Sequence, residues 1–390
     1  MADVLIAGGG IAGSSLAIML GRAGVTVALF EQGRFPREKA CGEGIMPPGV
    51  AVLERLGLAG AVGGAPFEGV RYHAGDTVAE GRFPWLDGRP AIGRGQRRQH
   101  LDQVLFATAA ATPGVTAYTD ARVEAPLVEC GRVIGLRARG EDHHAPLTVA
   151  ADGAHSRLRR HLGLDSTRPV SQRVGLRAHF RLAPEIIQPP WVEVFLGPAA
   201  EMYVTPLPHH EVLVAALTSR TVLSSGAAGA FAHLVRAQPL LGAKLAGAEQ
   251  ITTFKGMSPL TIGARAGVVA GAALLGDAAG FVDPITGGGI TQALLTAELL
   301  AEHLCRARPD AVAWLMAYDR ARTALLREYR WLNRMVLGLA DHPHLARAAV
   351  RLLNRTPGLF SHLLGAATGM RGLWPAPLAS ARMTRPDRVS

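Results

Sequence analysis

Two glycine-rich stretches, each with an acid close by, hold the residue types whose spacing could do chemistry. The first is Gly8-Gly9-Gly10-Ile11-Ala12-Gly13, set between an apolar run (residues 3–7, DVLIA) and a helical pattern reaching about residue 23. A second apolar run, residues 25–30 (VTVALF), ends at Glu31, 23 residues after Gly8. This reads as a strand–turn–helix–strand opening. In it Gly8 permits the tight turn, Gly10 lets a pyrophosphate approach the backbone, and Gly13 lets the helix pack on the sheet. Ala12 lies in the first helical turn, whose free N–H groups face the phosphates. A carboxylate at Glu31 can accept hydrogen bonds from a ribose diol, and it would repel a 2′-phosphate.

The second stretch is GDAAGFVDPITGGGITQAL, residues 276–294. A strand running into Gly276-Asp277 places one carboxylate where it can bind a polyol. Gly287, Gly288 and Gly289 then precede a helix and leave its first N–H groups free as a positive cradle. FAD needs both features: its ribityl hydroxyls need an acceptor, and its pyrimidine edge becomes negative on reduction. The pair of turns therefore points to FAD.

The elements that must position these residues form an α/β chain. Strands and helices alternate at the start, and a helix is expected over residues 48–58 and another over 99–111. Short strands with turns at Cys130-Gly131 and around Asp142-His143-His144 fill residues 121–150. Residues 173–182 alternate: Val174, Leu176, Ala178, Phe180 and Leu182 face one way, and Arg173, Arg177, His179 and Arg181 the other. With strands near 191–196, 201–205 and 211–218 they predict an antiparallel sheet with one more polar face. From 290 the pattern is helical to about residue 365, with Thr356-Pro357 as an N-cap followed by proline. The expected architecture is a Rossmann-like FAD-binding domain (residues 1–70, 96–165 and 260–300) with an inserted antiparallel β-sheet substrate domain (71–95 and 166–259). A helical C-terminal region (301–370) and a loose tail (371–390) follow.

The 48% hydrophobic content suits a large core, and 18% charged residues exclude a disordered chain. Three cysteines at wide spacing, Cys41, Cys130 and Cys305, suggest neither a disulfide framework nor a metal site, and fit a cytoplasmic location. The formal net charge of +10 is uneven: residues 301–390 hold 14 Arg, no Lys and 6 acids, a net of +8. Two readings stay open for that region: a solvated helical face, or peripheral contact with an anionic membrane surface. No pattern of basic residues with interleaved aromatics speaks for nucleic acid.

Three motifs carry a resemblance to the FAD-dependent aromatic hydroxylases (group A flavoprotein monooxygenases) and their geranylgeranyl-reductase-like relatives. They are the first glycine turn with Glu31, ADGAHSRLR (residues 151–159), and GDAAGFVDPITGGGI (residues 276–290). EKACGEGIMPPGVAVLERLG (residues 38–57) also resembles a segment of the reductase-like branch. The resemblance implies that Asp277 binds the ribityl chain, that Gly288, Gly289 and Ile290 present backbone to the isoalloxazine, and that Pro284 lies beside the ring. It implies Arg98 near the diphosphate, Val123 at adenine, and Asp152 with Ser156 supporting FAD and a transient nicotinamide, with Arg159 structural. The implied reaction is hydroxylation of a hydrophobic aromatic or polyketide-like small molecule by O2 through a flavin C4a-hydroperoxide, with NADH or NADPH as transient donor, in secondary metabolism. Two alternatives are an isoprenoid C=C reductase and a non-catalytic flavin-binding protein.

Departures from the family shape the rest. The only lysines are Lys39, Lys244 and Lys255, and the halogenases' tryptophan-containing motif is missing. The prenyl reductases' Tyr-x-Trp-x-Phe-Pro pattern is met here by Tyr203-Val204-Thr205-Pro206-Leu207-Pro208, without the tryptophan. Tyr203 and Thr205 are thereby candidate substrate residues. Cys41 reads equally as a proton donor facing the flavin or as a small buried residue. Arg177 and His179 line the substrate face of the sheet or else a solvated one. His143-His144 and His209-His210 read as turn residues.

Overall fold

The computed structural model describes residues 2–86, 88–166, 173–306, 312–340 and 342–373. Its first sheet has six strands in the order Val268–Val269, Ala272–Leu274, Leu147–Ala150, Val4–Ala7, Val27–Phe30 and Val115–Tyr118. All pairings are parallel except the edge pair Val268–Val269 with Ala272–Leu274. Strands with no wet face carry no alternation, which is why VLIA and VALF are unbroken apolar runs. Helix Ile11–Arg22 packs against Arg98–Ala111 and Gly289–Arg306, and their apolar faces share one core with the sheet.

This topology places the site. Val4–Ala7 lies beside Leu147–Ala150, which lies beside Ala272–Leu274. The carboxyl ends of these three neighbours run into Gly8, Asp152 and Asp277. Ligands of doubly wound sheets bind beyond such ends, where the strand order reverses.

A three-stranded meander, Val123–Glu129, Arg132–Ala138 and Glu141–His144, lies over this sheet. Its first turn falls at Cys130-Gly131, both with positive φ. The second differs from the sequence expectation: the chain turns at Arg139-Gly140, with φ of 56° and 76°, and Glu141–His144 is a strand. Gly140 supplies the left-handed conformation that a tight hairpin needs, and His143 is held in the strand against the Phe30 ring, 4.8 Å away.

The large sheet runs Glu249–Gln250, Arg173–Arg181, Glu211–Ser219, Ala200–Pro206, Val192–Leu196, Gly69–Ala74 and Thr77–Arg82, with Lys255–Met257 also paired to Arg173–Arg181. His209 and His210, both with positive φ, make the turn between two of its central strands. One pairing departs from the expected antiparallel pattern: Val192–Leu196 is parallel to Gly69–Ala74. These strands belong to separate excursions of the chain, so no hairpin fixes their relative direction. A small fourth sheet joins Gly44–Ile45, Gly93–Gly95 and Ala65–Phe67.

Helices Val312–Ala340, Pro343–Arg355 and Pro357–Thr368 follow. Thr356 stands at the N-cap of the last, with Pro357 after it, but its hydroxyl donates backward to the Leu352 carbonyl at 2.7 Å and makes no cap bond. Of the tail expected over 371–390, residues 374–390 lie outside the described residues. Among the described residues no helix is long and apolar enough to cross a membrane.

Candidate active site

The first glycine turn is shaped by contacts that admit no side chain. Gly8 has φ of +106°, and a Cβ there would stand 2.3 Å from the Ala151 carbonyl oxygen; one on Gly13 would stand 1.9 Å from the oxygen of Gly8. Gly10 differs: its Cβ would meet only the tip of Arg37, 4.0 Å away. Here the turn opens, at the start of a helix with neither a side-chain cap nor an acid in its first turn. Unpaired N–H groups and the positive end of the helix dipole face the gap, an arrangement that suits a phosphate. Ala12 lies in that first turn and touches the second motif, since a Cβ on Gly276 would be 3.0 Å from it. Glu31 is 3% exposed; it accepts from Gly9 N at 2.8 Å and Gly33 N at 2.9 Å, and pairs with Arg37 at 3.2 Å. A diol reaching Glu31 joins a carboxylate already oriented by the turn.

The second turn repeats the device. A short 3-10 turn, Gly276–Ala279, carries the half-buried Asp277 beside the first helix, and a second, Pro284–Thr286, is capped by Asp283, whose Oδ1 accepts from Ile285 N at 3.2 Å. Gly288 packs so closely on the Tyr329 ring that a Cβ would come within 2.6 Å, whereas beside Gly289 there is open space. Helix Gly289–Arg306 begins there without an acid in its first turn, and Ile290 is buried behind it. The residues present thus fit FAD: two open glycines at helix starts that carry no acid and, between them, an accessible carboxylate.

Sequence reasoning missed the residues that prop this loop. Asn333, on helix Val312–Ala340, donates to the Asp283 carbonyl at 2.6 Å and to Thr286 Oγ1 at 3.2 Å. Its only signal in the sequence is a polar residue on a face that helical periodicity turns inward.

Asp152 and Ser156 both cap the short helix Arg157–His161: Asp152 Oδ2 accepts from Arg157 N at 2.8 Å, and Ser156 Oγ accepts from Arg159 N at 3.0 Å. The other Asp152 oxygen is buried without a hydrogen-bond partner. Arg159 ties three segments, donating to Ala154 O and Ala278 O and pairing with Asp165 at 2.7 Å. Val123 heads a meander strand and is buried. Arg98 is buried and bidentate to Asp102 at 2.7 and 2.8 Å. Burial pulls its pKa down, but Asp102 and the Cys41 sulfur outweigh that and hold it above the ordinary arginine value. Cys41 is half-buried against this guanidinium.

On the sheet side, Tyr203 donates to the Ile285 carbonyl at 3.0 Å, directly after Pro284. Burial, with Glu201 beside it, pushes its phenol well above the ordinary value, so it stays a neutral donor. Thr205 donates to Gly42 O at 2.8 Å, in the loop that carries Cys41. His179 has no exposed surface; it bonds Glu43 at 2.8 Å, and Arg177 is 2% exposed. Around Arg177 and His179 the polar face of this strand is therefore neither solvated nor open, because residues 38–43 cover it, whereas Arg181 at its end is exposed.

Residues 1–329 match the family described as FAD binding domain. The chain belongs to this family of FAD-binding flavoproteins. It is 30% identical to the menaquinone reductase of Mycolicibacterium smegmatis over 77% of this chain and 76% of that one. It is also 30% identical to the 3-amino-4-hydroxybenzoate 2-monooxygenase of Streptomyces platensis, over 83% of this chain and 85% of the relative. A flavoprotein/dehydrogenase structure from Cytophaga hutchinsonii superposes with a TM-score of 0.82 at 19% identity, covering 94% and 92% of the two chains, which shows the shared fold. The protein is an FAD-dependent oxidoreductase of the aromatic hydroxylase-like group, with monooxygenases among its relatives.

In this flavoprotein Asp283 joins the two halves of the site. Arg173, on the large sheet, pairs with Asp283 at 2.9 Å and with Glu201. Asp283 is 1% exposed, and burial raises its pKa to about 6 although Arg173 pulls the other way; Glu201 adds to the rise. The folded protein then holds this proton more tightly than the unfolded chain. The stabilisation is complete below the unfolded value near 3.8 and is lost as pH rises through about 6. Asp283→Asn, which keeps an acceptor for Ile285 N, should therefore gain stability over the parent by roughly 1–3 kcal/mol between about pH 4 and about pH 8. Urea unfolding of both proteins checks this; a pH-independent difference would mean that Arg173 cancels the burial cost.

Proposed function

We propose that this flavoprotein hydroxylates a hydrophobic aromatic or polyketide-like small molecule, with NADH or NADPH as transient donor. The observation that carries the reading is the surface around Tyr203. Three separate apolar clusters meet at that ring, including Leu213, Leu217, Leu260, Ile285 and Phe281. They form a water-poor surface next to the loop of Pro284, which suits an apolar substrate and excludes side reactions with water. FAD, when bound, supplies the electron and oxygen chemistry. One atom of O2 enters the product, the other leaves as water, and the nicotinamide donor provides the two electrons.

The chain's own residues bind and orient. Gly8, Gly10, Ala12 and Gly13 hold the diphosphate, with Arg98 behind the turn; Glu31 takes the ribose and Val123 the adenine. Asp277 takes the ribityl chain, and Gly288, Gly289 and Ile290 offer backbone to the pyrimidine edge. Asp152 supports the turn and a passing nicotinamide. Pro284 and Cys41 border the reacting ring, while Tyr203 and Thr205 face the substrate and His179, proposed from the sequence as a substrate residue, stands buried behind the loop and supports it. The division into residues 1–70, 96–165 and 260–300 for FAD and 71–95 and 166–259 for substrate, and a cytoplasmic location, belong to the same proposal.

A second reading is favoured by the likeness to menaquinone reductase: an oxygen-independent reductase saturating an isoprenoid C=C bond, with Cys41 as first candidate proton donor. An apolar substrate of either kind suits an enzyme that touches a membrane. On helix Pro343–Arg355, Ala346 and Val350 pack inward, and Leu345 and Leu352, 55% and 53% exposed, share the outer side with exposed Arg347, Arg351 and Arg355. Such a face suits anionic lipid.

Asp277→Ala should weaken FAD binding by about 1–3 kcal/mol, roughly 5- to 150-fold, because ribityl hydroxyls lose their acceptor. Fluorescence titration of apoprotein measures it, and unchanged affinity would remove Asp277 from the site. Oxygen fate separates the two reactions: product carrying one atom of label from 18O2 is expected, whereas anaerobic product gaining two hydrogens would establish the reductase. Flotation with anionic vesicles, and not with neutral ones, is expected for the helical face; equal recovery from both would leave it solvated.

A further inference from the structure

Beneath the substrate sheet lies a buried polar chain that the proposed reaction does not use directly. Glu43 sits between Gly42 and Gly44 with φ of 59°, a left-handed conformation costly for a residue with a side chain. Its carboxylate has no exposed surface and reaches two elements at once. Oε1 accepts from Arg98 N at 3.0 Å, at the start of helix Arg98–Ala111, which has no cap of its own. Oε2 lies 2.8 Å from His179 Nε2.

The neighbours fix the proton on that histidine. Arg177, which can only donate, places Nη1 3.1 Å from His179 Nδ1. The Thr252 hydroxyl accepts from His179 N at 3.0 Å and lies 3.0 Å from the same Nδ1. Nδ1 is thus the acceptor, Nε2 carries the hydrogen, and a neutral imidazole donates to Glu43. Arg177 is itself clamped by Glu38 and by the Lys39 carbonyl at 2.8 Å. Side-chain bonds to residues 38–43 come from Arg177, His179 and Thr205 of the sheet and from Arg97 at the start of helix Arg98–Ala111, where Arg98 N also donates to Glu43; the Glu43 carbonyl accepts from Gln96 N at 3.0 Å, and Gly44 pairs with Gly95 of the small sheet.

We infer that Glu43 is a positioning residue: held by His179, it fixes the segment carrying Cys41 against Arg98, so that the seating of the substrate sheet is transmitted to the cofactor side. Cys41 Sγ accepts from Glu43 N at 3.4 Å, so the strained residue and the thiol move as one unit. A glycine at 43 would relieve the backbone but release the carboxylate that couples the two domains. The inference rests on the FAD reading for its role, not for its geometry.

The test uses the full chain with Cys130→Ser and Cys305→Ser, which removes the two exposed thiols and leaves Cys41 as the only one. Iodoacetamide then reports the freedom of the segment in apoprotein, where FAD plays no part. His179→Ala is expected to raise the Cys41 alkylation rate by about tenfold or more, with His179→Gln, whose amide can still donate to Glu43, staying within about twofold of the parent. If His179→Ala fails to fold, Glu43→Gln serves: its single carbonyl oxygen cannot replace both carboxylate contacts, and a several-fold rise is expected. In holoprotein the variants that release the thiol should also shift the visible flavin spectrum. Parent rates in both His179→Ala and Glu43→Gln, or equal acceleration by His179→Gln and His179→Ala, would overturn the inference. Loss of FAD binding with the alkylation pattern intact would instead count against the cofactor assignment.

Discussion

Between Gly8 and the carbonyl oxygen of Ala151 there is room for a hydrogen atom and nothing larger. That contact brings the loop after Leu147–Ala150 against the loop after Val4–Ala7, and the rest of the cofactor side is built outward from it. Arg159 then reaches from the first of these loops to Ala278 and so fixes the turn that bears Asp277. Two helices consequently begin within one small region, neither with an acid in its first turn. A field made by helix ends costs no desolvated cation, which suits a dinucleotide site where Arg98 is already engaged by Asp102 and Arg37, beside Gly10, by Glu31.

The two halves of the molecule meet through charges, not through apolar packing alone. Arg173 joins Glu201 of the sheet to Asp283 of the loop before helix Gly289–Arg306, and Arg177 with His179 joins the sheet to Glu38 and Glu43. Buried ion pairs contribute little net stability, since desolvation opposes the attraction. They do demand one geometry, because an unpaired buried charge costs several kcal/mol. An interface of this kind suits a site whose substrate surface and cofactor loop must keep a fixed spacing.

The C-terminal helices have a part in the same arrangement. Asn333 satisfies the carbonyl of Asp283, and the Tyr329 ring closes on Gly288, so a segment distant in sequence holds the loop that Pro284 belongs to. Arg320, Arg327, Arg334, Arg347, Arg351 and Arg355 are exposed on these helices, and the inner sides of the last two cover strand Thr77–Arg82, where a Cβ on Gly81 would meet the Phe360 ring at 2.7 Å.

The glycine turns, the acids at Glu31 and Asp277, and the parallel sheet were legible in the sequence because each depends on a neighbour a few residues away: a strand end, a turn, a helix start. Local sterics and helix electrostatics write themselves into short motifs. The hairpin at Arg139-Gly140 was misplaced because a left-handed glycine and a pair of histidines are both turn signals, and only the Phe30 contact decides between them. The direction of Val192–Leu196 beside Gly69–Ala74 was out of reach, since no short connection joins them. So was the burial of Arg177 and His179. Alternation in a strand says that one face is polar; whether water or a charged loop covers that face depends on residues 38–43, more than a hundred positions earlier, and on pairings that exist only once the chain has folded.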